Sequence, residues 1–308
     1  MKNSYHICFT SHDEVMFRDK RDHDMFINLM ALRAYSSRAA ILADAEMSTH
    51  VHLNIVSGEP LEFAARLRMS YTKYFNKKYG RKGRFGQKYT FILSVEGFYH
   101  QMVMMNYILR NGLHHGAASN AFGYDYCSAR ELFRNDIGFS VDSPAIMNRQ
   151  DILTFIPRHT EFPDHYLMNG DGVFVRNCFM ELKLAEQYYG TPRNYLYQMN
   201  RLTDESWVQA QQKDQTGEPI TLERLEPAGK ADVEQMLRNE SARSFGKNKW
   251  QDLDVCNLID SDLCKPFGVE SAYGLTDSQR QRLARLLANE FHLPQAQICR
   301  CLPGTWPR

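Results

Sequence analysis

The order of strand-like and helix-like segments in the first 115 residues constrains this chain more than any other feature. "SYHICFTS" reads as a short strand, and an amphipathic stretch runs from Asp22 to about Arg38. Two further strands follow, "AAILADAEM" and "HVHLNIV", with Met47, Ser48 and Thr49 as their hairpin connection. Pro60 opens a second helix in which Leu61, Ala64, Ala65, Leu67, Tyr71, Tyr74 and Phe75 recur near the helical period. "YGRKGRFGQ" breaks it, "KYTFILSV" is β-rich, and "EGFYHQMVMMNYILRNGLHHG" reads as a helix ending near Gly112 or Gly116. The order is β-α-β-β-α-β-α. Its first six elements predict a ferredoxin-like α+β fold, an antiparallel sheet with helices packed on one face.

Within that order, "HVHLNIV" is a central strand with two chemically opposite faces. Side chains two apart share a face of a strand, so His50, His52 and Asn54 project together. Val51, Leu53 and Ile55 project the other way, under the helices. By itself this alternation describes any strand with one wetted side. In this topology the His-bearing side is the open sheet face, where a ligand can sit and a third helix can cover part of it.

Charge is distributed unevenly. The net charge is only +1, yet between Leu61 and Thr90 nine Lys or Arg face a single acid, Glu62. Seven cysteines without CxxC spacing indicate neither a disulfide framework nor a zinc ribbon. Cys299 and Cys301 lie in a helix-like segment and read as packing residues. No apolar run approaches a membrane span and no signal-peptide core opens the chain, so a cytoplasmic protein is expected.

Three regions are expected: a catalytic domain over 1–135, a mainly helical connector over 136–270, and a helix-turn-helix-like segment over 271–308. "NAFGYDYCSARELF" has turn character, whereas "DGVFVRNCFMELKLAEQYYG" and "PRNYLYQMNRL" look helical. Gln211 to Gly229 reads as a polar connector. "LTDSQRQRLARLLANEFHLPQAQICRCL" reads as a helix capped by Thr276 or Asp277, a turn at "HLP", and a second helix. A DNA-reading helix-turn-helix and a plain helical hairpin both fit it.

The third helix carries Tyr107 and Asn111, four residues apart and so on one helical face. Each alone is ordinary, since a helical tyrosine is usually core. Joined to His50 and His52 they make a chemically coherent set. Two imidazoles and an amide oxygen can hold a divalent cation and leave positions for phosphate oxygens, and a tyrosine one turn away can attack that phosphate.

The ordered series "MSTHVHLNIV", "LRMSYTKYFNKKYGRKGRFGQKY" and "NYILRNGLHHGAA" resembles the single-tyrosine HUH transposases, in particular the REP-associated tyrosine transposases, over roughly residues 4 to 135. The resemblance implies cleavage and rejoining of single-stranded DNA near hairpins. Tyr107 matches the nucleophile, which leaves a 5′-phosphotyrosine and a free 3′-hydroxyl. His50 and His52 match ligands for Mg²⁺ or Mn²⁺, and Asn111 sits where the family places its third ligand. Arg66, Arg68, Lys73, Lys77, Lys78, Arg81, Lys82, Arg84 and Lys88 become the candidates for contacting DNA phosphates, with Tyr71, Tyr74 and Phe85 available to stack on bases. A monomer or homodimer is expected. Three departures stand out: Ser48-Thr49 replaces Pro-Asn before the first histidine, Asn111-Gly112-Leu113 replaces Asn-Pro-Val, and Leu109 replaces a histidine. The second predicts a looser helix stop around Asn111. Two other readings stay open: a hairpin-binding protein that no longer transposes, and a zinc hydrolase built on the two histidines.

Overall fold

The computed structural model describes residues 3–11, 14–86, 90–139, 147–201, 205–214, 217–225 and 250–305; Lys88 lies outside them. Four strands form one sheet: β1 (Asn3–Thr10), β2 (Ala40–Met47), β3 (His50–Ser57) and β4 (Phe91–Val95). Their order is β2-β3-β1-β4 and every pairing is antiparallel. With α1 (Lys20–Ser37) and α2 (Pro60–Tyr79) between them, this is the β-α-β-β-α-β topology that the sequence predicts.

Local signals set the helix ends. Asp19 caps α1 through a reciprocal bond set with Asp22, which satisfies N–H groups that the first helical turn leaves unpaired. Pro60 starts α2, and Gly80 ends it at φ 65°, a conformation glycine adopts without a Cβ clash. Both helices cover the apolar face of β3. Val51, Leu53 and Ile55 are fully buried against Phe26 and Met30 of α1 and Phe63, Leu67 and Phe75 of α2. Each such side chain stabilises the fold by about 1.5–3 kcal/mol.

The opposite sheet face is covered as well, contrary to the expectation of helices on one side. α3 (Phe98–Leu109) lies across it, and every residue from His100 to Leu109 is buried. Leu42, Ala43 and Ala45 of β2 meet α3 from one side; Ala185, Tyr189, Tyr195, Met199 and Trp207 meet it from the other. The latter belong to the helices Leu182–Tyr189, Pro192–Asn200 and Glu205–Gln211. The cause is written in α3, which contains no Asp, Glu, Lys or Arg. A helix apolar on all sides has to be enclosed.

Two other readings need correction. In "DGVFVRNCFMELKLAEQYYG" the helix begins only at Leu182. Before it, the Asn28 side chain donates to the Gly172 carbonyl and accepts from the Phe174 N–H, which holds that backbone in a turn. The segment read as a polar connector packs where it is described: Ile220 and Leu225 are buried against the α3 cluster. Gln211 exchanges two side-chain hydrogen bonds with the Ile220 backbone, at 2.7 and 2.8 Å.

The chain ends in two paired helices, Asp277–Asn289 and Gln295–Cys301, that resemble a helix-turn-helix. The first has the expected Thr276 cap, reciprocated by Gln279. Their apolar sides share a cluster with Val255, Cys256, Ile259 and, from the N-terminal region, Val15. Cys301 is fully buried there, and Cys299 is partly exposed. Among the described residues no helix is long and apolar enough to cross a membrane.

Candidate active site and the basic face

β3 and α3 bring the expected residues together. The Tyr107 hydroxyl lies 3.4 Å from His52 Nε2, across a gap of 55 residues in sequence. His52 Nδ1 lies 2.9 Å from Nε2 of His6 on β1, and the two rings stack at 5.1 Å with 15° between planes. His50 Nδ1 is 3.2 Å from the Thr49 hydroxyl, and its ring packs 4.6 Å from that of His115. His114 packs its ring 5.3 Å from Tyr107.

Hydrogen bonds fix the placement of α3 on the sheet. Gln101 donates to Asn54 Oδ1 and accepts from Ser4 at 2.6 Å, while Asn54 donates to Ser4 Oγ at 2.9 Å. This closed polar ring sits 1.5 helical turns before Tyr107 by the usual 3.6-residue period, roughly, and locks the helix in register. At its far end Arg110, 1% exposed, donates to the carbonyls of Gln198 and Met199. The helix breaks there, and a new turn, α4 (Asn111–His114), begins.

That break alters the geometry around Asn111. Tyr107 and Asn111 do not share one uninterrupted helix. The stop is nonetheless tight, because a Cβ on Gly112 would collide with Tyr124. Asn111 is fully buried, and neither end of its amide has a hydrogen-bond partner. A buried amide in that state costs about 1–3 kcal/mol.

The site is enclosed. His52, Tyr107 and Asn111 have no exposure and His50 is 8% exposed. His50 and His115 line a cavity of about 530 Å³, whose other walls include Tyr124, Tyr126, Trp250 and Asp252. Asp252 ties this region to the C-terminal helices. It accepts from Arg300 at 2.6 and 2.8 Å, from Gln297 at 2.9 Å and from Ser48 at 2.8 Å. Ser48 belongs to the hairpin that leads into His50.

Nearby, β2 carries two buried carboxylates on the α1 side. Glu46 meets His23 Nδ1 at 3.0 Å, and Asp44 holds Arg176. His23 is sandwiched between the rings of Phe17 and Tyr126 at 4.1 and 3.5 Å. Burial, with Arg176 and Lys20 adding to it, holds the His23 imidazole well below its ordinary range. Burial likewise raises the Glu46 carboxyl, against the pull of Arg176.

The basic residues lie elsewhere. α2 packs on the face of the sheet opposite Tyr107, so the cations and the histidine site do not share a cleft. Several are committed to acids. Lys78 bonds Asp19 and Asp22 at 2.6–2.7 Å, Arg81 pairs with Glu14, and Arg66 pairs with Glu62 one turn away. Arg68 donates to Thr90 at 3.3 Å. Lys82 and Arg84 are exposed. Lys73 and Lys77 line an open groove of about 1400 Å³ between α1, α2 and residues 154–181, together with Arg33, Arg38, Tyr35 and Tyr74. Tyr71 and Phe85, read as possible base-stacking rings, are core residues at 1% and 2% exposure. The Tyr71 hydroxyl is spent on the Met16 carbonyl. Gly86 has φ 71°, and a Cβ there would meet the Thr10 carbonyl, so this glycine seats the loop after α2 against the end of β1.

His6, Ser4 and Gln101 were not among the residues singled out from sequence. Alternation in "SYHICFTS" was the available signal, since it puts Ser4, His6 and Cys8 on one face, and β1 pairs directly with β3.

Among the described residues no three His, Cys, Asp or Glu side chains gather to hold a metal ion. A cation at His50 and His52 would therefore take its third protein ligand from another side-chain type, such as the Asn111 amide. Neither a protein-family model nor a curated protein matches the chain. Among solved structures, it is similar to a REP-associated tyrosine transposase bound to a REP hairpin, with 12% identity and a TM-score of 0.36 over 45% of this chain and 81% of that one.

Proposed function

We propose that this chain cleaves and rejoins single-stranded DNA near hairpins, with Tyr107 as nucleophile. One observation carries the reading: the Tyr107 hydroxyl meets His52 Nε2 on a strand that also presents His50. The phenolic oxygen attacks the phosphodiester, the P–O3′ bond breaks as the Oη–P bond forms, and the 3′-oxygen leaves as a hydroxyl. Rejoining reverses these bonds. A free phenol has a pKa of about 10 and is a poor nucleophile at neutral pH, so the attack depends on its surroundings.

The residues fit a divalent cation. Each histidine has its Nδ1 engaged, by Thr49 or by His6, which is how imidazoles that ligate through the other nitrogen are usually held. The Asn111 amide is buried and unpartnered. His50, His52 and Asn111 would hold Mg²⁺ or Mn²⁺, which when bound supplies charge stabilisation for the phosphate and the leaving oxygen. Neutral ligands predict a weak, exchangeable ion. Lys73, Lys77, Lys82 and Arg84 are the cations of the α2 region that we assign to DNA phosphates.

A second reading has its own observation. Tyr107 is wholly enclosed, and the cations on the far face could grip a hairpin without any cleavage. A denaturing gel separates the two: full-length protein, Mn²⁺, and hairpin oligonucleotides labelled at the 5′ or 3′ end. Cleavage gives a protein-linked downstream fragment and a free upstream 3′-hydroxyl. A native-gel shift with no covalent adduct at any Mn²⁺ concentration favours the binding-only reading.

A further inference from the structure

We infer that His6 is a positioning residue for the cleavage site, fixing His52 in the tautomer whose Nε2 lone pair faces Tyr107; this rests on the cleavage reading above. The geometry is a three-membered chain. Tyr107 Oη lies 3.4 Å from His52 Nε2, and His52 Nδ1 lies 2.9 Å from His6 Nε2. All three side chains are fully buried. Tyr107 and Phe91 each set an edge against the His6 ring, at 6.0 and 5.8 Å.

One proton separates His6 from His52 along the short contact, and it can belong to either ring. If His6 donates, His52 carries its own proton on Nε2. That proton then points at the phenol oxygen, and the nitrogen can neither accept from Tyr107 nor ligate a cation. If His52 donates from Nδ1, its Nε2 is a lone pair directed at the Tyr107 hydroxyl. A phenol is a stronger donor than acceptor and a neutral imidazole nitrogen is a strong acceptor, so the second order matches each group to its better role. It also aligns both bonds in one direction, and aligned hydrogen bonds polarise one another. His6 thus does from β1 what the Thr49 hydroxyl does for His50 from the hairpin: it occupies Nδ1 and turns Nε2 toward the site.

Sequence position adds to the argument. His6 stands opposite Asn54 in the β1–β3 register, one pair away from His52 opposite Cys8. The rings therefore meet diagonally across adjacent strands, stacked at 15°, and the sheet itself holds the contact in place.

The test is direct and needs neither metal nor DNA. Long-range ¹H–¹⁵N spectra of ¹⁵N-histidine-labelled, metal-free protein report which nitrogen of each ring is protonated, with His52 assigned by the loss of its signals in His52→Gln. We expect His52 protonated at Nδ1 in the parent protein. His6→Gln, which retains an acceptor oxygen near the Nε2 position, should keep that tautomer. His6→Phe, which keeps a ring but no acceptor, should shift His52 toward Nε2–H. In the oligonucleotide assay His6→Phe should lower the adduct-forming rate roughly 10- to 100-fold at unchanged DNA affinity, and His6→Gln should restore most of it. A parent His52 protonated at Nε2, or a tautomer indifferent to His6→Phe, overturns the inference. A parent protein that never forms an adduct overturns the cleavage reading instead, and the spectra still decide the role of His6.

Discussion

Tyr107→Phe is the sharpest perturbation, because chemistry and packing come apart at a single oxygen. The ring is fully buried in the α3 cluster and stays so in phenylalanine, so the apolar burial of the side chain is kept. What is lost is a long hydrogen bond, 3.4 Å to His52 Nε2. An ordinary bond contributes about 0.5–1.5 kcal/mol net, and one this long falls toward the lower end. Since 1 kcal/mol moves the melting midpoint of a mid-sized domain by about 2–4 °C, the variant should melt within a few degrees of the parent. DNA affinity should also be kept, because the α2 cations lie on the far face of the sheet. Adduct formation should fall to nothing at any Mn²⁺ concentration. Melting curves, gel-shift titrations and denaturing gels on one preparation give all three numbers. An adduct of unchanged size and position in Tyr107→Phe would refute the assignment and require a different nucleophile.

Four further outcomes follow from the same geometry. Asn111→Leu removes a buried, unpartnered amide, so it should stabilise the fold by about 1–3 kcal/mol in urea titrations while reducing Mn²⁺-dependent adduct formation; a destabilised variant shows that the amide is satisfied in solution. Lys73→Ala with Lys77→Ala should flatten the salt dependence of single-strand binding by about 0.7 in slope per lost contact, whereas Lys78→Ala should mainly cost stability by leaving the fully buried Asp22 carboxylate without its ammonium; equal salt slopes in both variants would move the DNA elsewhere. His23 is held neutral in the fold by burial, so the unfolded chain takes up a proton as pH falls below about 6.5 and the folded chain does not. Stability should therefore drop by roughly 1 kcal/mol between pH 7 and 5.5 from this residue alone, and the His23→Gln curve should be flatter by that amount. Asp252→Ala frees Arg300, Gln297 and Ser48 together and should destabilise the protein by about 3–5 kcal/mol, the usual result of breaking a buried pair from one side; a change below 1 kcal/mol would mean that the C-terminal helices are not anchored there.

The sheet and its two first helices were legible because each follows a period that the sequence repeats without conflict. β3 alternates over its whole length, and α2 begins at Pro60 and stops at Gly80 as those residues dictate. The pairing of His52 with Tyr107 was legible too, since one strand face and one helix face have few ways to meet. The closure of the site needed a different signal. "FYHQMVMMNYIL" has no charged residue on any side, and reading it only for one polar stripe hides the fact that it has to be wrapped. The break at Arg110 could not be read at all. It depends on a guanidinium finding the carbonyls of Gln198 and Met199, almost ninety residues away. The α2 cations show the same limit: a run of nine positive charges looks uniform in sequence, yet Asp19, Asp22 and Glu14 claim two of them from distant segments.

The C-terminal helices bear on the site through the same kind of long-range contact. In a DNA-reading pair, the second helix offers its polar side chains to base edges. Here Gln297 and Arg300 of that helix turn inward to Asp252, and the exposed cations Arg282 and Arg285 belong to the first helix. Asp252 in turn holds Ser48, the residue two before His50. Arg18 adds a second tie from the N-terminal region, with a bidentate pair to Asp260 and a bond to the Cys301 carbonyl. Any force that pulls the last helix from its seat is thus applied to the hairpin carrying His50. Whatever docks on this pair of helices would act on the candidate cation site through Asp252 and Ser48, with no need to reach Tyr107 itself.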